Sequence, residues 1–212
     1  MEYFQKVLLI NGSPNEKGCT YTALNEIAKV LDRHGIESKI LYLGKQPVAG
    51  CIACSHCKRS QDHLCVFDDL VNKVLSHSDE YGAIVVGSPV YYASASGQLI
   101  AFLDRLFHSS CGRLSGKLGA SVVSCRRGGA TATFDELNKY FSISNMPIVT
   151  SQYWNMVHGR KPEDVMQDEE GLQTMRTLGE NIAWLMSCIA AGRKAGVPSP
   201  AYEKQIATDY IR

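Results

Sequence analysis

Ile10-Asn11-Gly12-Ser13-Pro14-Asn15-Glu16-Lys17-Gly18-Cys19-Thr20-Tyr21-Thr22 is the stretch on which the fold turns. Ahead of it, Val7-Leu8-Leu9-Ile10 is a short apolar run, suited to a strand covered on both faces. Behind it, Leu24, Ile27, Ala28 and Leu31 recur at helical spacing until Gly35 stops the helix. Strand, polar loop and helix in that order bring hydroxyls and backbone N–H groups to a helix N-terminus, where an anion is favoured. The loop is not that of a nucleoside-triphosphate site, because Cys19-Thr20 stand after Gly18 where a Lys-Ser/Thr pair is required. Nor is it a dinucleotide fingerprint, since G-x-G-x-x-G is missing. A monophosphate cradle remains.

Further along, Ser38-Lys39-Ile40-Leu41-Tyr42 reads as a second strand, and a helix from about Asp69 carries Leu70, Val71, Val74 and Leu75. A third, fully buried strand spans 82–88, followed by a helix from about Ser96 through Leu99, Ile100, Leu103 and Leu106. A fourth strand covers 119–124, a helix runs from about Thr133 to Phe141, and a short fifth strand is expected near Pro147-Ile148-Val149. Strands alternating with helices predict an α/β fold, a parallel sheet with right-handed crossovers and helices on both faces. Residues 151–170 read as a polar, irregular stretch with Trp154, His158, Pro162 and the acidic Asp168-Glu169-Glu170. A C-terminal helix over 171–191 buries Met175, Leu178, Ile182, Leu185, Met186 and Ile189, and 196–212 form a tail. One domain over 1–195 is the expected organisation, without internal repeats.

Composition narrows the functional classes. A chain of 212 residues that is 45% hydrophobic can bury a full core. With 22 basic and 21 acidic residues the net charge is +1, which gives no electrostatic footprint for nucleic acid or an anionic membrane. No apolar run approaches the roughly 20 residues that span a bilayer. Met1-Glu2-Tyr3-Phe4-Gln5-Lys6 is no secretory signal, so a cytoplasmic protein is expected. In that setting the eight cysteines point to metal binding or free thiols rather than a disulfide scaffold.

Three motifs occur in order: Asn11-Gly12-Ser13-Pro14…Gly18-x-Thr20, then Cys51-x2-Cys54-x2-Cys57-x7-Cys65, then Gly87-Ser88-Pro89-Val90-Tyr91-Tyr92. Over about the first 150 residues the chain thereby resembles the flavodoxin-like NAD(P)H-dependent FMN reductases, including their iron–sulfur flavoprotein branch. The resemblance implies a doubly wound five-stranded sheet of order 2-1-3-4-5, FMN as the phosphate-bearing cofactor, NAD(P)H as co-substrate, and a homodimer or homotetramer. In that order the first and third strands flank the topological switch point, where ligands bind.

On this reading Ser13 and Thr20 offer hydroxyl donors to the FMN phosphate, Asn15 and Thr22 add side-chain donors, and Gly18, Cys19 and Tyr21 complete the cradle. Many relatives carry Arg where Asn15 stands, so one charge-assisted contact is missing here. The plainer alternative makes Ser13-Pro14 a turn and Thr20 a helix cap. Pro89, Val90, Tyr91, Tyr92 and Ala93 form the family's second loop, along the isoalloxazine, with aromatic area and backbone groups to read its edge. Ser124, Arg126, Arg127, Gly128 and Gly129 form the third, where cations favour an anionic flavin or grip a nicotinamide phosphate. Trp154 and His158 are candidates to roof the flavin or to insert across a subunit interface. His34, His77 and His108 read as structural. Cys19, Cys111, Cys125 and Cys188 lack spacing partners, and Cys188 is expected to face the core.

Cys51, Cys54, Cys57 and Cys65 leave alternatives open. Their spacing resembles a compact [4Fe–4S] ligand run, although no proline follows the last cysteine. Reduced thiols packed in a loop are the plain alternative, with a disulfide or zinc beyond it. Two functions follow: an NAD(P)H-dependent FMN oxidoreductase serving a small acceptor, or an iron–sulfur flavoprotein that relays electrons between proteins. The near-neutral charge weighs against the second, because carriers of this type steer partners with an acidic face.

Overall fold

The computed structural model describes residues 6–204, 206–208 and 210. The apolar runs form strands β1 (Lys6–Asn11), β2 (Ser38–Tyr42), β3 (Tyr81–Pro89), β4 (Leu118–Cys125) and β5 (Met156–His158). They pair in parallel, in the flavodoxin-like order β2-β1-β3-β4-β5. Among the described residues the α-helices are α1 (Cys19–Arg33), α2 (His56–Arg59), α3 (Leu70–Ser76), α4 (Gly97–Ser109), α5 (Ala130–Ile143), α6 (Pro162–Val165) and α7 (Glu169–Lys194).

Successive strand residues feed opposite faces, so the central strands supply two cores. Leu8, Ile10, Ile84, Val86 and Val123 meet Val71, Leu75, Leu99, Phe102, Leu137 and Phe141 from α3, α4 and α5. Val7, Leu9, Val85 and Val122 meet Leu24, Ile27, Leu31, Met175, Leu178 and Ile182 from α1 and α7. Each such side chain fully buried contributes about 1.5–3 kcal/mol, and a parallel sheet covered on both faces is the outcome. The helix stops are also local. The N–H groups of Gly35 and Ile36 return to the carbonyls of Asp32 and Leu31, and Asp69 caps α3 by accepting the Val71 N–H at 3.0 Å.

The C-terminal third departs from expectation. Pro147-Ile148-Val149 is not the fifth strand; Ile148 makes one isolated bridge to Gly119, flanked by the Gly119 N–H on Pro147 and the Val149 N–H on Gly119. Proline at its head has no N–H to extend a ladder. The chain leaves and returns as β5, where Met156 and Val157 are buried beside Val123 and Ser124. Residues 151–170 are therefore not irregular throughout, since they hold β5 and α6. Pro162 opens α6 at a position where its missing N–H costs nothing. The last helix spans Glu169–Lys194 rather than 171–191, capped by Asp168 accepting the Gly171 N–H at 2.9 Å. Cys188 is exposed, against expectation. The buried stripe runs through Leu178, Ile182 and Met186, and two residues past Met186 the helix has turned away from it. No described helix is long and apolar enough to cross a membrane. The reading of Met1 to Gln5 as no leader lies outside the described residues.

Candidate functional site

The C-terminal ends of β1, β3 and β4 lie side by side, with Asn11 level with Gly87 and Pro89 level with Ser124. The loop after β1 is braced from beneath by Asn11, which is fully buried. Its Oδ1 accepts the Ser13 N–H at 3.1 Å and its Nδ2 donates to the Glu16 carbonyl at 3.1 Å. The Tyr42 hydroxyl donates to the Pro14 carbonyl at 2.8 Å. Gly12 must be glycine, because a Cβ there would lie 2.6 Å from Leu99 Cδ2 and 3.0 Å from the Gly87 carbonyl. The loop is thereby seated on α4 and β3.

At its far end α1 begins without a side-chain cap and without an acidic residue in its first turn. The first backbone bond of α1 is the Thr22 N–H on the Gly18 carbonyl at 3.0 Å, which leaves the N–H groups of Cys19, Thr20 and Tyr21 outside the ladder. An uncompensated helix N-terminus beside a rigid polar loop suits a phosphate. Ser13 Oγ accepts the Asn15 N–H at 3.1 Å and keeps its own hydrogen to donate. Thr20 is buried, its Oγ1 2.9 Å from Ser124 Oγ, and so ties the first loop to the third. Thr22 points away from the role expected of it, since its hydroxyl donates back to Gly18 at 3.2 Å. Asn15 is exposed. Lys17, which the sequence reading passed over, places its ammonium 4.3 Å above the Tyr21 ring and 3.1 Å from its hydroxyl, at the edge of the same loop.

The second loop is a tight hairpin closed by the Tyr91 N–H on Ser94 at 2.9 Å and the Ser94 N–H on Tyr91 at 3.1 Å. Its two central residues, Tyr92 and Ala93, have φ of 53° and 60°, a conformation usually left to Asn-Gly. Glu136 on α5 holds it, accepting the Ser94 hydroxyl at 2.9 Å and the Ala95 N–H at 2.8 Å. Ser96, just ahead of α4, donates its hydroxyl to the Gly12 carbonyl at 2.6 Å and its N–H to Ser88 Oγ at 3.0 Å. Tyr91 is half exposed, whereas Tyr92 stands wholly in solvent.

The third loop packs against the second. The Val90 N–H donates to the Ser124 carbonyl at 3.0 Å. At Gly129, with φ of +89°, a Cβ would come within 2.9 Å of Ala93 Cα and 3.0 Å of Val90 Cγ1. Arg126, Arg127 and Gly128 are exposed, and neither arginine forms an ion pair among the described residues. Burial pushes the Cys125 thiol up. His158 ends β5 level with Cys125, on the ligand side. Trp154 precedes that strand and packs against Tyr153 in a tilted arrangement, with ring centroids 5.1 Å apart and planes at 55°.

The four spaced cysteines converge on one pocket, lined by Cys51, Cys54, Cys57, Cys65 and Phe67, with Arg105 and His108 of α4 behind them. Ala53, Ser55 and His63, all within this loop, have φ of 53–56°. Non-glycine residues held so are strained and cluster at ligand clamps. Burial pushes the Cys57 thiol up, and Cys111, Cys65 and Cys54 nearby push it further. No three His, Cys, Asp or Glu side chains among the described residues are grouped for a single metal ion. A four-iron cube presents separate corners to separate sulfurs, and four soft donors around a largely apolar pocket fit that group in donor chemistry.

A family model for NADPH-dependent FMN reductases matches residues 5–161. An iron–sulfur flavoprotein of Methanocaldococcus jannaschii is 32% identical over 192 residues, covering 87% of this chain and 98% of the relative. An iron–sulfur flavoprotein of Methanosarcina thermophila is 27% identical over 194 residues, covering 89% and 98%. Among solved structures, RosB with a bound formylriboflavin phosphate intermediate superposes with a TM-score of 0.66 at 13% identity, over 98% of this chain and 94% of that one. A flavodoxin from an archaeon gives 0.57 at 15% identity, over 86% and 98%. At those identities the structural likeness is one of fold.

Proposed function

The chain belongs to the NADPH-dependent FMN reductase family, and from that premise we propose that it draws electrons from NAD(P)H into bound FMN and passes them to a small acceptor, with a [4Fe–4S] cluster on Cys51, Cys54, Cys57 and Cys65. The observation that carries the flavin part is the uncapped start of α1, set between two cross-braced loops at the switch point of β1 and β3. Bound FMN would supply the redox chemistry, hydride uptake and onward electron transfer.

The chain's own residues bind and orient. The Ser13 hydroxyl and the N–H groups of Cys19, Thr20 and Tyr21 would hold the phosphate. The hairpin at Tyr91 would lie along the ring, and Arg126 and Arg127, which form no ion pair among the described residues, would favour negative charge on the flavin or bind a nicotinamide phosphate. No protein acid or base is required, because the flavin would carry the redox chemistry. The acceptor is a quinone, a nitro- or azo-aromatic, a flavin or a metal.

A second reading makes the protein a relay between protein partners. The cysteine pocket favours it, as do relatives that are themselves named iron–sulfur flavoproteins. Anaerobic purification with flavin, iron and sulfide assays tests both cofactors. Rapid mixing then separates the functions: flavin bleaching by NADH or NADPH alone supports the enzyme, and bleaching only by reduced ferredoxin supports the relay. Protein without FMN would refute both.

A further inference from the structure

Arg105 is the one charged side chain among the described residues that is fully buried. It sits on α4 three residues after Phe102, inside the stripe that otherwise holds Leu99, Phe102, Leu103 and Leu106. Five donor contacts use its five N–H groups. Nη1 donates to Asp69 Oδ2 at 2.6 Å and to the Ala49 carbonyl at 3.3 Å. Nη2 donates to Asp69 Oδ1 at 2.9 Å and to the Phe67 carbonyl at 3.3 Å. Nε donates to Cys65 Sγ at 3.3 Å. The guanidinium also lies 4.8 Å over the Phe67 ring.

Two features of this set go beyond a structural clamp. Ala49 and Phe67 each lie two residues beyond an end of the cysteine segment, so one side chain ties both ends of the loop around the pocket. The fifth N–H is given to a sulfur. A neutral thiol is a weak acceptor, whereas sulfur carrying negative charge is a strong one. A buried cation aimed at Cys65 thus matches a pocket whose contents become more negative in use. The charge is only partly cancelled, because Asp69 shares its carboxylate with the Val71 N–H and its side chain reaches solvent.

We propose that Arg105 sets the reduction potential of the cysteine pocket, its Nε–H and buried charge favouring the reduced state of a cluster held by Cys65 and its three partners. The inference rests on the cluster reading above. Arg105 touches no reacting atom of substrate; it acts through the Cys65 sulfur and through the shape of the loop. Hydrogen bonds to ligand sulfurs and net charge are levers on the potential of such centres.

The test is a potentiometric titration of anaerobic protein followed by electron paramagnetic resonance, with iron and sulfide counted per chain. Arg105→Gln should shift the reduction equilibrium at least tenfold toward the oxidised form, which is about 59 mV for one electron. Asp69→Asn keeps Arg105 but removes its counter-charge, and should shift the equilibrium the opposite way. A purely structural clamp would move both variants in the same direction, through loosening of the loop. Should Arg105→Gln fail to fold or to load, Asp69→Asn decides alone: an upward shift supports the proposal, and no shift or a downward one overturns it. Wild-type protein free of iron and sulfide sinks the cluster reading and this inference together. Wild-type protein that is loaded, with variants unmoved from its potential, sinks this inference only.

Discussion

Glu136→Ala should weaken FMN binding although residue 136 lies on α5, outside all three loops. The hairpin it supports holds Tyr92 and Ala93 in the left-handed region, at a cost of about 1–2 kcal/mol each, or about 2–4 kcal/mol together. Against this stand two cross-hairpin hydrogen bonds, worth about 1 kcal/mol each. The Glu136 carboxylate adds two charge-assisted bonds, from the Ser94 hydroxyl and the Ala95 N–H, of about 1.5–3 kcal/mol each. With Glu136 the turn is favoured. Without it the balance falls to about 0–2 kcal/mol against the native turn, so a fraction between about one half and one thirtieth of molecules hold it. Since apparent affinity scales with the competent fraction, the FMN dissociation constant should rise about 2- to 30-fold. Glu136→Gln keeps an acceptor for the Ala95 N–H and a donor that the Ser94 hydroxyl can accept, so it should stay close to the parent. Quenching of FMN fluorescence on titration into apo-protein measures the affinity, and far-ultraviolet circular dichroism confirms the fold. A folded Glu136→Ala protein with parental FMN affinity would refute the reasoning, either because the hairpin stands without Glu136 or because it does not contact the cofactor.

Ser13→Ala removes the hydroxyl proposed to hold the phosphate together with the acceptor for the Asn15 N–H, and should weaken FMN by about ten- to a hundredfold in the same titration. Gly129→Ala forces a Cβ against Ala93 and Val90 at a φ that disfavours it. It should cost about 1–3 kcal/mol, read as a lower melting temperature and a weaker hold on FMN. Replacing Arg126 and Arg127 with Gln should raise the KM for NAD(P)H or lower the flavin potential; steady-state kinetics and a redox titration that both match the parent would return the two residues to plain solvated surface.

The existence and type of the first four strands were legible because their signals are local, whereas their order across the sheet came only from the family resemblance. Val7 to Ile10 and Gly82 to Ser88 are apolar runs between turn residues, and Leu24, Ile27 and Leu31 keep helical phase up to Gly35. β5 was not legible. It has three residues, and its neighbour Pro147-Ile148-Val149 is more strand-like in composition, yet a parallel partner on β4 is open at Val123–Cys125 and only a long-range contact selects Met156–His158 for it. The first loop could be read from its own residues, except that Thr22 turned its hydroxyl to the helix it starts, a local competition that sequence leaves undecided.

What escaped the sequence are the residues that hold the loops from elsewhere. Glu136 is a polar residue on a helix, with a partner 42 positions away, and no spacing rule joins it to Ser94. Arg105 did leave a trace, as a charge in the apolar phase of α4, where a buried cation needs an anion that only Asp69 and the cysteine loop can provide. That helix joins the two proposed sites within so small a fold. Its start meets the phosphate loop, through Ser96 on Gly12, and its Gln98 holds the carbonyls of Gly44 and Gln46 on the way to the cysteine segment. Nine residues after Ser96, a rise of about 14 Å along the axis, Arg105 closes that segment. A rigid helix with one end at each proposed site fixes their separation whatever the surface loops do, which is the property the proposed electron path would require and one that no single motif in the chain encodes.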